Sequence, residues 1–187
     1  MRLFPTYFVL SALLLQAVSP LECLAENSHL EIRQSVTRNS LDIEQLGGGA
    51  TAILSQDGSF NVATIRTDSG EIKAEQSGEG NILNLNQNGP GNEMDLIQRG
   101  SENSYSLTQS GANNKMYLLQ DGSQNYAMAT QNGSRNVLKS VQRGAHNILR
   151  TRQDGSNNFI SQEQNGNSLS AEIIQEGNDM RLEIVQN

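Results

Sequence analysis

From Gln76 onward, glutamine returns every eleven residues without a miss: Gln76, Gln87, Gln98, Gln109, Gln120, Gln131, Gln142, Gln153, Gln164, Gln175 and Gln186. Two residues after each, except the last, stands glycine: Gly78, Gly89, Gly100, Gly111, Gly122, Gly133, Gly144, Gly155, Gly166 and Gly177. Three residues further on, asparagine recurs at Asn81, Asn92, Asn103, Asn114, Asn125, Asn136, Asn147 and Asn158. The register holds upstream at Gln34, Gln45 and Gln56, fails at Thr67 and slips by two before Gln76. The slip falls around Asp68-Ser69-Gly70, as a loop deletion would.

An eleven-residue period is also that of a right-handed helical supercoil. Two observations favour strands. A glycine in every third helical turn would cost about 1 kcal/mol each time relative to alanine. More directly, the residues between Asn and Gln alternate with period two, as in Asn114, Met116, Leu118, Gln120. This reading gives fifteen strands: 28–34, 39–45, 50–56, 61–67, 70–76, 81–87 and onward in elevens to 180–186. Each has four alternate positions taken as inward, and none of these carries a charge. The two central inward positions are apolar in every strand except at Ser140, Thr151 and Gln162.

That segregation of charge answers the first alternative, a disordered chain. Hydrophobic residues are 35% of the sequence, aromatics 4%, and 17 Gln and 21 Asn give an amide-rich composition of the kind that favours disorder. A disordered chain has no reason to keep charge off alternate positions. The expected fold is an all-β solenoid of strand–arc–strand units. The glycines are expected to mark where the chain reverses, at positive φ. Units of this kind bury their inner faces only by stacking. The stacking vector is two strands, or 22 residues, with rungs ~4.8 Å apart and a column of ~35 Å. Identical residues then lie over one another, and the amides form ladders that satisfy buried polar groups. The terminal rungs expose unpaired backbone, a template for a further chain.

Residues 1–25 read as a secretory signal peptide. Arg2 precedes an apolar run from Tyr7 to Val18, and small residues precede a cleavage site after Ala25. The single cysteine, Cys23, lies in that segment, so residues 26–187 hold no disulfide. The formal net charge is -7, with 13 basic residues in no cluster, which argues against nucleic acid as a partner. His29 and His146 are too far apart in sequence to suggest a metal site. Outward acids such as Asp42, Glu44, Glu93 and Asp95 read as solvated faces that oppose clumping. No cofactor, metal site or catalytic constellation is expected.

The repeats Gln76-Ser77-Gly78-Glu79-Gly80-Asn81 and Gln87-Asn88-Gly89-Pro90-Gly91-Asn92 resemble the curlin repeat core, Gln-x-Gly-x-Gly-Asn followed by a short strand ending in Gln. The resemblance covers about residues 28–187. It implies a subunit of the bacterial curli amyloid fibre, secreted to the cell surface for adhesion and biofilm matrix. Its partners would be itself, other curlin subunits and the export and nucleation machinery. Its polymerisation residues would be the ladder positions Gln34, Gln45, Gln56, Gln76 to Gln186 and Asn81 to Asn158. Irregular aliphatic repeats such as Asn114–Gln120, and an ending at Gln186-Asn187, are more similar to the minor, nucleating subunit than to the major one. The second glycine of the motif is missing from most repeats, and fifteen strands exceed the usual ten. The alternatives are a major subunit and a monomeric secreted solenoid that binds a surface ligand. The latter needs a regular outward face, and the regular face here is the inward one.

Overall fold

The structure, a computed structural model, describes residues 7–12, 22–23, 27–35 and 38–187. It is all-β, and no described residue is helical. The strands are β1 (Tyr7–Ala12), β2 (Glu22–Cys23), β3 (His29–Ser35), β4 (Ser40–Gln45), β5 (Thr51–Ser59), β6 (Val62–Thr67), β7 (Glu71–Glu79), β8 (Ile82–Asn88), β9 (Glu93–Ser101), β10 (Ser104–Ala112), β11 (Lys115–Ser123), β12 (Tyr126–Ser134), β13 (Val137–Ala145), β14 (Ile148–Ser156), β15 (Phe159–Asn165), β16 (Ser170–Asn178) and β17 (Arg181–Gln186). Odd strands form one parallel sheet in the order β1-β3-β5 through β17; even strands form the second, from β2 to β16. The chain winds between the two sheets, so each rung is one odd and one even strand.

Register follows the repeat. In β11 and β13, Gln120 lies beside Gln142 and Gly122 beside Gly144, a step of 22 residues. At the slip the step shortens to 20, with Gln56 beside Gln76 and Thr67 beside Gln87. The two residues are removed from the arc after β6, and both sheets run through without a break. The slip therefore does not divide the solenoid into two stacks.

Period-two alternation places the core. In β11, Met116, Leu118 and Gln120 are buried while Lys115 and Asp121 are exposed. Between the sheets lies a narrow double row of aliphatics, among them Leu30, Ile43, Leu54, Ile72, Leu83 and Leu96. Tyr105 is the largest fully buried side chain, and its hydroxyl donates to the Ile97 carbonyl at 3.2 Å.

Two features depart from the expected outline. Most strands do not end at glutamine but run on through the glycine, so Gly100, Gly122 and Gly144 are paired within the ladder. The glycine bends a continuing strand, and the arc closes two residues later. The second departure concerns the apolar N-terminal segment expected to be a signal peptide. Tyr7–Ala12 pairs in parallel with β3, Tyr7 beside His29 and Ala12 beside Gln34, and Glu22–Cys23 pairs with β4. These steps are again 22 residues. A β-prone segment next to an open sheet edge satisfies that edge's backbone groups. The expected cleavage position, Ala25, lies outside the described residues.

Candidate assembly ladders and sheet edges

Each inward glutamine is the last inward side chain of its strand, next to the arc, where a residue must satisfy groups both across the core and along the axis. Gln98 illustrates how the amide does this. Its Nε2 donates to Gln120 Oε1 at 3.0 Å, one rung on, and to the Ile82 carbonyl at 3.0 Å, across the core. Both N–H groups are thereby satisfied. Repetition gives an unbroken line along the odd sheet: Gln34, Gln56, Gln76, Gln98, Gln120, Gln142, Gln164 and Gln186, with N···O distances of 2.6 to 3.0 Å. The even sheet carries Gln87, Gln109, Gln131, Gln153 and Gln175 linked in the same way, with Thr67 donating into the line at 3.3 Å. Gln45 occupies the same column and donates to the His29 and Ala50 carbonyls. Every ladder glutamine between Gln34 and Gln186 is buried.

The asparagines do a different job from the expected amide-on-amide stacking. Asn114 Oδ1 accepts from the backbone N–H of Asn136, one rung on, at 3.0 Å. Its Nδ2 donates to the Ser110 carbonyl, at the start of the preceding arc, and to the Gly133 carbonyl of the next rung, both at 3.0 Å. Asparagine therefore ties each arc to itself and to the arc above. Asn81, Asn92, Asn103, Asn125, Asn136, Asn147 and Asn158 repeat the bond to the next rung's glycine or its equivalent. Among the described residues, direct side-chain pairs occur on the even-sheet side alone, as in Asn103 Nδ2 to Asn81 Oδ1 at 3.2 Å. Asn39 and Asn61 belong to the same line, since Asn61 N–H donates to Asn39 Oδ1 at 3.0 Å. The two-residue slip hides them from the eleven-residue count.

The turn glycines Gly78, Gly89, Gly100, Gly111, Gly122, Gly133, Gly144, Gly155, Gly166 and Gly177 all have positive φ. Close stacking is the sharper constraint. At Gly122 (φ 132°), a Cβ would overlap the carbonyl oxygen of Gly144. The residue just before each asparagine also has positive φ, yet it is glycine at Gly80 and Gly91 and an ordinary residue at Glu102, Gln124, Arg135 and His146. Left-handed backbone costs an L-residue about 1–2 kcal/mol. The motif's missing second glycines are thus positions of stored strain.

The ladders have a direction, each amide N–H pointing to the rung on its C-terminal side. At that end Gln186 is half-buried and donates to the Ser170 carbonyl at 3.1 Å. The N–H that its predecessors pass onward has no partner among the described residues. β17 pairs with β15 alone and β16 with β14 alone, so one side of each is an open edge. Leu182 and Ile184, inward on β17, are partly buried.

Three consecutive strands, β13 to β15, break the apolar pattern. Ser140 donates to Gln162 Oε1 at 2.8 Å inside the core. Thr151 Oγ1 and Gln162 Nε2 are buried with no hydrogen-bond partner. On the surface, Lys115 donates to Glu93 at 2.7 Å and holds its carboxyl below the usual range, and Tyr117 adds a bond at 3.2 Å. Burial pushes the Tyr105 hydroxyl well above the usual phenol range. His29 stands in β3 and His146 in the arc after β13. Among the described residues no three His, Cys, Asp or Glu side chains are grouped as metal ligands. No protein-family model matches the chain, and no curated protein matches it in sequence.

Proposed function

We propose that this chain is a self-assembling structural subunit that grows by strand addition at the ends of its solenoid. In its finer form the reading is a subunit of an extracellular curlin-type amyloid fibre, the minor, nucleating one, serving adhesion and biofilm matrix. The observation that carries it is the directional glutamine ladder ending at Gln186 beside the open edges of β16 and β17. A second copy presenting Gln34 or Gln45 would accept the onward N–H, and its backbone would pair the open edge. Export through residues 1–25, with cleavage after Ala25, would remove β1 and β2 and free the edges of β3 and β4 at the other end. Partners on this reading are further copies, other curlin subunits, export and nucleation machinery, and the outer cell surface; nucleic acid is not among them. It needs no enzymatic activity and no cofactor.

The motif's resemblance to curlins supports the family, and the aliphatic, irregular repeats support the minor subunit. A major subunit is the second reading. The test is assembly kinetics of residues 26–187 diluted from denaturant and followed by an amyloid dye, alone and as seed for a major curlin. Lag-free assembly that shortens the partner's lag is the expected result. Assembly with a lag and no seeding points to a major-type subunit, and a persistent β-rich monomer overturns the fibre reading.

A further inference from the structure

The outer face of the even sheet carries a feature that edge growth does not use. On β8, β10 and β12 no outward side chain is charged. The stretch of the odd sheet behind it, β7, β9 and β11, carries eight outward charges, from Glu71 to Asp121. The neutral field is built of amides and hydroxyls, with Asn84 beside Ser106 and Asn86 beside Thr108. These four side chains make no hydrogen bond with the described residues. Along one rim run the exposed apolar side chains of Val62 and Ile82, with Tyr126 in the same column.

Charges return on either side of this field. β4 carries Asp42 and Glu44, and β14 carries Arg150 and Arg152 in the same two columns. Glu44 holds Arg66 of β6 at 3.1 Å, and Arg152 reaches Asp154 and Glu176. Asp42 and Arg150 make no ion pair with the described residues, although Glu172 stands beside Arg150 on β16.

We infer that this face pairs with the same face of a second copy, about a two-fold axis parallel to the strands and midway between β8 and β10. That operation keeps each column and exchanges β8 with β10, β6 with β12 and β4 with β14. Asp42 then meets Arg150 and Glu44 meets Arg152, each twice over. Asn84 meets Ser106, Asn86 meets Thr108, and Val62 meets Tyr126. The other charges between β4 and β14 meet uncharged residues: Arg66 faces Thr130, Asp68 faces Asn132, and Asp154 faces Leu46 at the rim. No like charges are opposed. Other placements do worse. An axis along β10 sets Arg66 against Arg152 and Asp42 against Glu172. Axes along β8 or between β10 and β12 bury Glu44 against Thr130 or Arg152 against Asn86. An axis along the solenoid, between the two charged columns, sets Asp42 against Glu44 and Arg150 against Arg152. Charge therefore selects one register of antiparallel solenoids, and the amide–hydroxyl and apolar matches agree with it. Six strands ~4.8 Å apart and ~20 Å long give a face of ~600 Å² on each copy. The pair buries about 1,200 Å² in all, the lower bound for a stable interface.

The test uses the full chain with Cys23→Ser, carrying either Thr64→Cys or Met128→Cys, and a short bis-maleimide cross-linker over a concentration series. The two sites face each other in the pair, whereas two copies of either one lie three rung spacings, ~14 Å, apart along the axis. A mixture of the two variants is expected to give cross-linked dimer at about tenfold the yield of either alone. Adding Asp42→Arg to both should remove the product, and adding Arg150→Asp as well should restore it. Circular dichroism verifies that each variant keeps its β signal, these side chains being on the surface. Equal yields from single variants and mixture, no product at any concentration, or indifference to Asp42→Arg would each overturn the inference. Absence of the dimer with retention of the chain on an insoluble neutral polysaccharide would overturn it in favour of a sugar on the same face. Because cross-linking reads single chains as well as fibres, its outcome is separable from that of edge growth.

Discussion

At the scale of the residue, the solenoid turns on what a carboxamide can do that neither a carboxylate nor a methyl can. Gln120 accepts from Gln98, donates to Gln142, and donates across the core to Ser104. Gln120→Ala would leave those three groups unmatched at about 1–3 kcal/mol each. We expect a loss of about 3 kcal/mol or more in urea unfolding, against a few tenths for an exposed amide such as Gln124. At His146, φ is 59°, and its side chain makes no hydrogen bond or ion pair with the described residues. His146→Gly should raise stability by about 1 kcal/mol through relief of left-handed strain, whereas Gly122→Ala should destabilise. Tyr105 supplies a pH dependence. Its hydroxyl is pushed up by burial, so the unfolded chain releases that proton first, near pH 10. The stability tied to this group is complete below about pH 10 and falls as pH rises toward the folded value. Tyr105→Phe should flatten that alkaline slope relative to wild type while costing about 1 kcal/mol at neutral pH for the lost hydrogen bond. The glutamines and glycines were legible from spacing alone. The role of asparagine was not, because spacing cannot tell whether its amide bonds to another amide or to backbone.

At the scale of the element, alternation read the faces correctly and the ends less well. Leu83 and Leu118 are buried where the pattern puts them, while Glu93 is outward in an ion pair with Lys115. Leu118→Lys should prevent folding of its rung by burying an unpaired charge, and Glu93→Lys should cost no more than about 1 kcal/mol, as exposed pairs do. Strands run past the expected ends because glycine is not the point of reversal. Its missing Cβ serves close stacking of continuing strands, and two bends share the arc. The polar interruption of β13 to β15 was visible in the sequence as Ser140, Thr151 and Gln162 at core positions, though its two unmatched atoms were not. Replacing Thr151 with valine removes an unbonded hydroxyl at nearly constant shape. It should stabilise by about 1 kcal/mol, as read in the denaturant midpoint with an unchanged slope.

At the scale of the whole molecule, a two-strand rung repeated in register makes a column whose ends resemble its middle. What stacks β15 on β13 would stack a new copy on β17, since the backbone groups, the glutamine column and the aliphatic rows all continue. The column was legible in the sequence because each repeat reports the same fold independently. The uncharged outer face of β8, β10 and β12 and the placement of Tyr7–Ala12 beside β3 were not, since both depend on which strands become neighbours. Growth from the ends is the central claim, and the last rung allows a direct test. Leu182 and Ile184 are inward but only partly buried there, so Leu182→Lys with Ile184→Lys alters the open edge while leaving the rungs below it intact. The measurement is the rate at which this double variant extends fibres seeded by the wild-type chain, followed by dye fluorescence beside circular dichroism of the monomer. The account predicts a β-rich chain whose extension falls at least tenfold. Extension at the wild-type rate by a folded double variant would contradict it.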